Sequence, residues 1–299
     1  MENKIPISET RHWEINTVRG TNSSPIRYGY YCKSSAPKEA LLFINGRGEW
    51  IEKYHFLPTE LSIPDDWCFI TLDHRGQGGS AGLRSHIDDY DTYSDDLQAV
   101  LQKLNITQPI TIIGHSMGGL ISLNTIITGK VKPKKLVLTS PLLGFNINKK
   151  TKLILDKLIK ILSKTSASRL NIPQKKEAED FPTNPYTHHA DRYNTIIETP
   201  YKIPSPTIGW TAATLRCIAK AFSKDMLANI DCPVMLITGS RETIVDPEMF
   251  LKWSQTFSKL SKRDFQRRQI QGARHEILNE SKPYSQLAME DIKTWLFFL

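Results

Sequence analysis

The chain has 299 residues, of which 39% are hydrophobic and 23% are charged, and its formal net charge is +8. This composition excludes a disordered or fibrous chain and is typical of a soluble globular protein, long enough for one large core with an inserted subdomain. No stretch approaches about 18 uninterrupted apolar residues, so no membrane-spanning helix is expected.

The N-terminus and the cysteines bear on the cellular compartment. The first residues, Met1–Pro6, lack the apolar region of a secretory signal, so secretion is not expected. The cysteines are widely spaced and form no paired pattern, at Cys32, Cys68, Cys217 and Cys232. They predict reduced thiols in a cytoplasmic protein, with neither a zinc site nor a disulfide framework.

The positive charge, with a pI near 9.2, favours contact with polyanions such as nucleic acid or anionic lipid. The sequence shows no helix-turn-helix, phosphate loop or aromatic and basic recognition module, so nucleic-acid binding is not expected. Peripheral contact with an anionic membrane stays open as a hypothesis.

Strand and helix patterns alternate through the first half of the chain. Strands are predicted over Trp13–Val18, Ile26–Cys32, Ala40–Ile44, Trp67–Leu72, the run before Gly114, and Lys135–Thr139, with helices over Trp50–Leu61, through Tyr93–Leu104, and after Gly118. The first two strands are predicted to be an antiparallel pair. The succession that follows indicates an α/β fold, with a mostly parallel sheet covered by helices on both faces.

Residues 109 to 120 place a serine at a sharp turn. A short β-branched run ends in Gly114-His115-Ser116-Met117-Gly118, and a helical pattern follows. A serine hydroxyl is a weak nucleophile near neutral pH, so it must be held where a base and a carbonyl carbon can both reach it. The strand, turn and helix predict a nucleophile elbow with Ser116 at its apex. His115, beside it, is expected to point the other way and to serve packing.

A nucleophile of this kind needs two donors for the negative charge that develops on the carbonyl oxygen. One is expected to be the backbone amide of Met117, directly after the serine. The other is expected in the glycine-containing loop after Ala40–Ile44, where Arg47 is the candidate through its main chain.

After Pro141 no buried-strand pattern returns until Val234. The sequence therefore predicts a hydrolase core in two parts, 1–143 and 207–299, separated by an inserted cap over 144–206. A core helix is predicted over Ile208–Ala228. Phe145 and Trp210, near the edges of the insertion, are candidate lining residues of an acyl site, although aromatic side chains there also suit simple packing.

One cap segment has a basic amphipathic pattern. Residues 149 to 164 place the apolar Ile154, Leu158, Ile161 and Leu162 on one side and Lys150, Lys157, Lys160 and Lys164 mainly on another. The pattern fits a helix at a membrane surface, and it also fits an ordinary cap helix packed on the core.

Two carboxylates follow the next predicted strand, Val234–Gly239, and either could orient a catalytic histidine. Glu242 is preferred because it lies three residues past the strand, at its carboxyl end. Asp246 is the alternative, although it precedes Pro247 and has the signature of a helix N-cap.

His275 is the candidate base among eight histidines. It lies just after the predicted strand Phe265–Ile270 and before a final helix near residues 284 to 298. A histidine there completes the order of nucleophile, acid and base that α/β-hydrolases use.

With these motifs in place, the chain resembles the lysophospholipase and monoacylglycerol lipase family of serine hydrolases, which has the α/β-hydrolase fold. The likeness runs from about residue 27 to the C-terminus and is carried mainly by Asp73–Gly78, Asp91–Leu97, Gly114–Gly119 and Gly272–Leu278. The acid loop is similar to that of bacterial lysophospholipases of the inner-membrane face, in which a glutamate replaces the usual aspartate. The resemblance implies release of a fatty acid from a lysophospholipid or monoacylglycerol, and the two-step ester hydrolysis needs no metal or organic cofactor.

The chain departs from the family at Asn45-Gly46, where many relatives have His-Gly, and at Glu242, where monoacylglycerol lipases have Asp. The cap matches only weakly. The alternative hypotheses are a carboxylesterase or thioesterase for short acyl groups, and a catalytically silent binding protein on the same fold.

Overall fold

An eight-stranded sheet crosses the whole molecule in a computed structural model that describes residues 13–173 and 180–298, without the side chains of residues 149–155. The N-terminal Met1–Pro6, on which the expectation about secretion rests, lies outside the described residues. In chain order the strands are β1 Trp13–Arg19, β2 Pro25–Cys32, β3 Glu39–Ile44, β4 Trp67–Leu72, β5 Ile110–His115, β6 Lys135–Thr139, β7 Val234–Gly239 and β8 Phe265–Ile270.

The sheet order is β1-β2-β4-β3-β5-β6-β7-β8. Strand β2 pairs antiparallel with β1 and β4, and every later pairing is parallel. The predicted opening antiparallel pair and the predicted mostly parallel sheet are therefore confirmed. Because the parallel strands point the same way, the loops that follow β3, β5, β7 and β8 meet at one edge of the sheet.

The central strands are buried on both faces, as their continuous apolar runs predict. Leu42 and Ile44 of β3 belong to one hydrophobic cluster, while Leu41 and Phe43 of the same strand belong to the other. The longer helices are, in chain order, α1 Tyr90–Lys103, α2 Met117–Ile127, α3 Lys149–Leu162, α4 Ala190–Glu198, α5 Ile208–Ala221, α6 Pro247–Leu260 and α7 Tyr284–Phe297.

Two predicted helices were wrong in extent. The helix expected over Trp50–Leu61 is a 3-10 turn, Ile51–Tyr54, followed by a short helical turn, Leu57–Glu60. Pro58 has no backbone N–H to continue one helix across this segment. The helix expected over Ile208–Ala228 ends at Ala221, because Ser223 is extended and begins a separate turn, Lys224–Leu227.

The chain between β6 and β7 includes residues 144–206, the segment that the sequence predicts as an inserted cap. Its described parts include α3, α4, and 3-10 turns at Ser166–Arg169 and Phe181–Thr183. An antiparallel bridge between Asn171 and Thr207 closes the end of the insertion against the start of α5. Within the predicted cap, residues 174–179 lie outside the described residues.

The cysteines are free thiols, and three of the four are buried. Across the described ranges, no helix combines the length and the apolar character that crossing a bilayer requires.

Helix α6 offers a test of how the core is held. Trp253 is fully buried, stacks on Phe257 with ring centroids 4.9 Å apart, and donates its Nε1–H to the Ala221 carbonyl at 3.0 Å. Trp253→Ala is therefore expected to lower the free energy of unfolding by about 3–5 kcal/mol in urea titrations. Leu251→Ala, in the same helix but 46% exposed, should change it by less than about 0.5 kcal/mol. Equal losses in the two variants would contradict this assignment of the core.

Candidate active site

Ser116 occupies a strained turn between β5 and α2. Its φ is 52° and its ψ is −118°, a conformation rarely adopted by residues other than glycine. The Ser116 amide donates to the Thr139 carbonyl at 3.0 Å, which fixes the turn on the neighbouring strand β6. The sharp turn predicted from the sequence is therefore present, with the serine at its apex.

Gly118 lets this turn approach the end of β3. A Cβ at position 118 would collide with the carbonyl oxygens of Ile44 and Asn45. Only glycine leaves room for that contact, and the contact brings the N-terminus of α2 against the Asn45–Gly48 loop.

Three side chains distant in sequence meet beside the turn. The Nε2 atom of His275 lies 3.0 Å from Ser116 Oγ, and its Nδ1 atom lies 2.7 Å from Glu242 Oε2. The other carboxylate oxygen, Glu242 Oε1, accepts from the amides of Ile244 at 2.8 Å and Val245 at 3.0 Å. All three side chains are buried at the carboxyl ends of their strands.

The charges of this group support one another. Burial alone would raise the pKa of Glu242, but His275 and the two amides outweigh it, so that pKa lies below its ordinary value. Burial would likewise lower the pKa of His275, but the facing Glu242 carboxylate raises it above its ordinary value. Glu242 therefore fixes the ring with Nδ1 protonated and leaves Nε2 to face the serine.

Asp246, the alternative acid, has a different position. Its carboxylate accepts from the Glu248 amide at 3.0 Å and caps the N-terminus of α6. The structure thus brings Glu242 to His275 and places Asp246 at a helix cap.

The Asn45–Gly48 loop is held from behind by residues that the sequence analysis did not assign. The Asn45 side chain donates to the Leu72 carbonyl at 3.1 Å, and His74 Nε2 lies 3.0 Å from the Asn45 carbonyl oxygen. Burial lowers the pKa of His74 to about 4, so its neutral ring donates this hydrogen bond. The Gly48 amide donates to Gln77 at 2.6 Å, which fixes the far side of the loop.

Of the predicted donors, Met117 directly follows Ser116, and Arg47 lines the same cavity as Ser116. Met117 is the first residue of α2, where backbone amides have no intrahelical acceptor. Arg47 belongs to the loop that Gly118 brings close, and its guanidinium reaches away to Ser85 Oγ at 2.5 Å and the Pro204 carbonyl at 2.6 Å. The guanidinium also lies 5.3 Å from the centre of the Trp210 ring.

The expectation that His115 points away from the site was wrong. Its ring centroid lies 5.0 Å from that of His275, and its Nδ1 lies 3.1 Å from the Thr139 carbonyl oxygen. His115 is the last residue of β5 and pairs with Thr139 of β6, and its side chain lies toward β6 and the histidine loop. Burial lowers the pKa of His115, so the ring beside His275 is neutral.

The insertion is bound directly to the histidine loop. The amide of His275 donates to the Pro185 carbonyl at 3.3 Å, and the amide of Glu276 donates to the Tyr186 carbonyl at 2.9 Å. The buried carboxylate of Glu280 accepts from the amides of Arg274 at 2.7 Å and His188 at 2.8 Å. The segment through Pro185 and Tyr186 therefore cannot leave the loop without breaking several hydrogen bonds.

A cavity of about 420 Å³ opens onto Ser116 and His275. Its apolar wall is formed by Leu142, Phe145, Ile147, Pro206, Trp210 and Ile244. Both predicted lining residues, Phe145 and Trp210, lie in this wall, with ring centroids 6.3 Å apart. Segment 144–206 and the rest of the chain thus contribute equally to the six apolar wall residues, since Phe145, Ile147 and Pro206 lie in that segment.

Sequence analysis missed a charged group at the cavity, whose lining includes Glu49 and Glu276. Glu49, Lys53 and Glu276 are buried and paired with one another. The only local signal was a Glu-Lys pair at i and i+4 among apolar neighbours, which ordinarily indicates an exposed helical face.

Comparison with known proteins agrees with this geometry. Residues 35–282 match the family described as serine aminopeptidase S33, Hydrolase_4. The chain is 26% identical to phospholipase YtpA of Bacillus subtilis over 258 residues, which cover 83% of this chain and 92% of the relative. It is 25% identical to the monoglyceride lipase of Rattus norvegicus over 283 residues, covering 89% and 85%.

A solved structure has the same architecture. A soluble variant of monoglyceride lipase from Saccharomyces cerevisiae, in complex with a substrate analog, superposes with a TM-score of 0.77 at 22% identity and covers 95% of each chain. The predicted α/β-hydrolase fold is therefore confirmed.

The contact between Glu242 and His275 makes a testable prediction about charge. Glu242→Gln is expected to lower the pKa of His275 by at least about one unit, because it removes the carboxylate that stabilises the imidazolium. Asp246→Asn removes a carboxylate of the same loop and should leave that pKa unchanged. Titration of the His275 ring by NMR measures both, and a shift in the Asp246 variant alone would reverse the assignment.

Proposed function

Because this chain belongs to the serine aminopeptidase S33 family of α/β-hydrolases, we propose that it cleaves the carboxylic ester of a monoacylglycerol or lysophospholipid through an acyl-serine intermediate. The observation that carries the proposal is the 3.0 Å contact between Ser116 Oγ and His275 Nε2 at the mouth of an apolar cavity. The names of the relatives, a phospholipase and monoglyceride lipases, support single-chain acyl lipids as substrates.

In the first step, Ser116 Oγ bonds to the ester carbonyl carbon while His275 Nε2 takes the hydroxyl proton. The ester C–O bond then breaks, and His275 returns the proton to the leaving alcohol. In the second step a water repeats the sequence on the acyl-serine and releases the fatty acid. Glu242 stabilises the imidazolium that forms in each step.

The oxyanion that develops in both steps needs fixed donors. We assign this role to the amides of Met117 and Arg47, with each donor contributing about 3 kcal/mol to the barrier reduction. The bonds that hold the Asn45–Gly48 loop to Leu72, His74 and Gln77 support its rigidity. A rigid loop keeps its amide aimed at charge that exists only in the transition state.

The apolar wall of the cavity is the proposed acyl site, and the insertion 144–206 is the proposed cap. Phe145, Trp210 and their neighbours would exclude water from the ester and bind the chain. Each methylene buried there contributes about 0.8 kcal/mol, which favours long chains over short ones. This preference separates the proposed lipase from an esterase or thioesterase for short soluble acyl groups.

Ser116→Ala is expected to abolish ester hydrolysis and to leave the fold intact, because the variant lacks only the attacking oxygen. Fatty acid release from monoacylglycerols, lysophospholipids, short esters and aminoacyl anilides, followed by mass spectrometry, measures the activity and its preference. The thermal melting temperature serves as the control for folding.

Undiminished turnover in the Ser116 variant would rule out the proposed nucleophile. No turnover by the wild-type protein on any ester of the panel would favour the alternative of a silent binding protein. A preference for short esters would agree with the proposed serine mechanism but would contradict the proposal that the substrate is a lipid.

We also infer a cytoplasmic protein that binds the inner face of an anionic membrane through the insertion. In α3, Leu158 is 49% exposed and Ile161 is 65% exposed, and Leu170 in the following segment is 61% exposed. Lys157, Lys160 and Lys164 are exposed beside them. Exposed aliphatic side chains flanked by lysines fit the interface of an anionic bilayer. Of the predicted amphipathic face, the side chains of Ile154 and Lys150 lie outside the described residues.

Replacing Leu158 and Ile161 by serine is expected to weaken binding to vesicles that contain phosphatidylglycerol by roughly tenfold or more, because two aliphatic anchors are lost. The matched control replaces Leu251 and Leu287 by serine, which are 46% and 50% exposed on core helices. Co-sedimentation at low salt measures both. If wild-type protein does not bind these vesicles, or if the control variant loses as much binding, the membrane assignment is wrong.

A further inference from the structure

Three buried charged side chains lie between the two loops that flank the serine. Lys53 Nζ lies 2.7 Å from Glu49 Oε1 and 2.7 Å from Glu276 Oε1, and side-chain exposure is 5% or less for all three. Glu49 and Lys53 follow β3, whereas Glu276 is adjacent to His275. We call this group the buried bridge.

Each end of the buried bridge is attached to one of the loops. The second oxygen of Glu49 accepts from the amide of Gly46, next to Arg47, and its first oxygen also accepts from the Tyr54 hydroxyl at 2.8 Å. The second oxygen of Glu276 accepts from the Asn279 side chain at 2.8 Å. Glu276 also donates its amide to the insertion at Tyr186. Lys53 therefore connects the loop of the proposed oxyanion donor to the loop of the proposed base.

Stability alone does not account for a buried bridge of this kind. Well-packed apolar side chains of similar volume are often as stabilising as a buried ion pair, because removing charges from water opposes their attraction. The buried bridge also has two carboxylates for one ammonium, so one negative charge is uncompensated. Apolar side chains at these positions would not place a negative charge near His275, and they would not link the two loops by hydrogen bonds.

We propose that Lys53 and Glu276 are positioning residues for hydrolysis: with Glu49 they hold the Gly46–Arg47 loop at a fixed distance from His275 and place a net negative charge near its imidazole. This inference rests on the proposed function, since it assigns His275 as the base. It adds two residues that neither attack the ester nor transfer its proton, although Glu276 lines the cavity beside His275.

The charged and titratable groups that face His275 come from four elements. They are Glu242 after β7, His115 at the end of β5, Glu49 and Lys53 after β3, and Glu276 on the histidine loop itself. The pKa of Glu49, which burial would raise, is lowered to about 2 mainly by Lys53, and its two carboxylate partners raise the pKa of Lys53 against the effect of burial. Glu49 and Lys53 are therefore ionised near neutral pH, and the ammonium of Lys53 pairs with Glu276 at 2.7 Å. The carboxylates favour the imidazolium form of His275, which is the form the reaction must create.

Glu276→Gln tests the proposal because it keeps the shape of the side chain and removes its charge. The pKa of His275 should fall, so the acidic limb of kcat/KM should move to lower pH by about one unit. At higher pH, kcat should fall several-fold because the imidazolium formed during the reaction is less stabilised. A long-chain monoacylglycerol is the substrate, and the melting temperature is recorded for each variant.

Lys53→Met should shift the same limb in the opposite direction, because it leaves two uncompensated carboxylates. The double variant restores a single negative charge and should return the limb close to the wild-type position. Asp96→Asn is the matched control, since Asp96 is also a buried carboxylate but pairs with Arg75 away from the cavity. It should lower stability without moving the limb.

An unmoved acidic limb in a folded Glu276→Gln protein would overturn the inference, even if kcat fell. A shift of equal size in Asp96→Asn would do the same. Should Lys53→Met fail to fold, Glu276→Gln still decides the question. Failure of the proposed function has a different signature, namely absent wild-type turnover or turnover that survives in Ser116→Ala.

Discussion

The hydrogen bond between Ser116 and His275 joins two residues that are 159 positions apart, and the arrangement of the site depends on it. It forms only because parallel strands bring the ends of β5 and β8 to the same edge of the sheet. The strained backbone at Ser116 is maintained by Gly118 on one side and by the Thr139 carbonyl on the other. These rigid surroundings thus stabilise a strained backbone conformation that presents the Ser116 hydroxyl to the His275 imidazole.

Sequence patterns predicted those parts of the fold that local chemistry determines. Trp67–Leu72, Lys135–Thr139 and Val234–Gly239 begin and end where their apolar runs predict, because strands buried on both faces have a continuous signal. The prediction of one helix over Trp50–Leu61 was wrong, because Pro58 cannot donate the backbone hydrogen bond that a continuous helix requires. The prediction for His115 was wrong for a different reason. The turn exposes the Ser116 hydroxyl, but it does not determine the direction of the neighbouring His115 side chain.

The buried bridge escaped prediction because its meaning lies in contacts across the chain. The spacing of Glu49 and Lys53 is typical of an exposed helix. Their burial becomes apparent only from the contact between Lys53 and Glu276, which are 223 residues apart in the sequence. The segment through Pro185 and Tyr186 was not predicted for the same reason, since its hydrogen bonds to His275 and Glu276 are made by the backbone and leave no side-chain pattern in the sequence. Together these contacts connect the proposed cap, the Asn45–Gly48 loop and the histidine loop. We therefore expect changes in the proposed cap to alter the position of His275, the proposed base.

The most direct test of the account is a crystal structure of the protein after reaction with a long-chain alkyl fluorophosphonate, whose tetrahedral phosphorus mimics the tetrahedral intermediate of ester hydrolysis. We expect phosphorus bonded to Ser116 Oγ, one phosphoryl oxygen within about 2.7–3.1 Å of the Met117 and Arg47 amides, and the alkyl chain along Phe145 and Trp210. Attachment at another residue, or a phosphoryl oxygen directed away from both amides, would contradict the account.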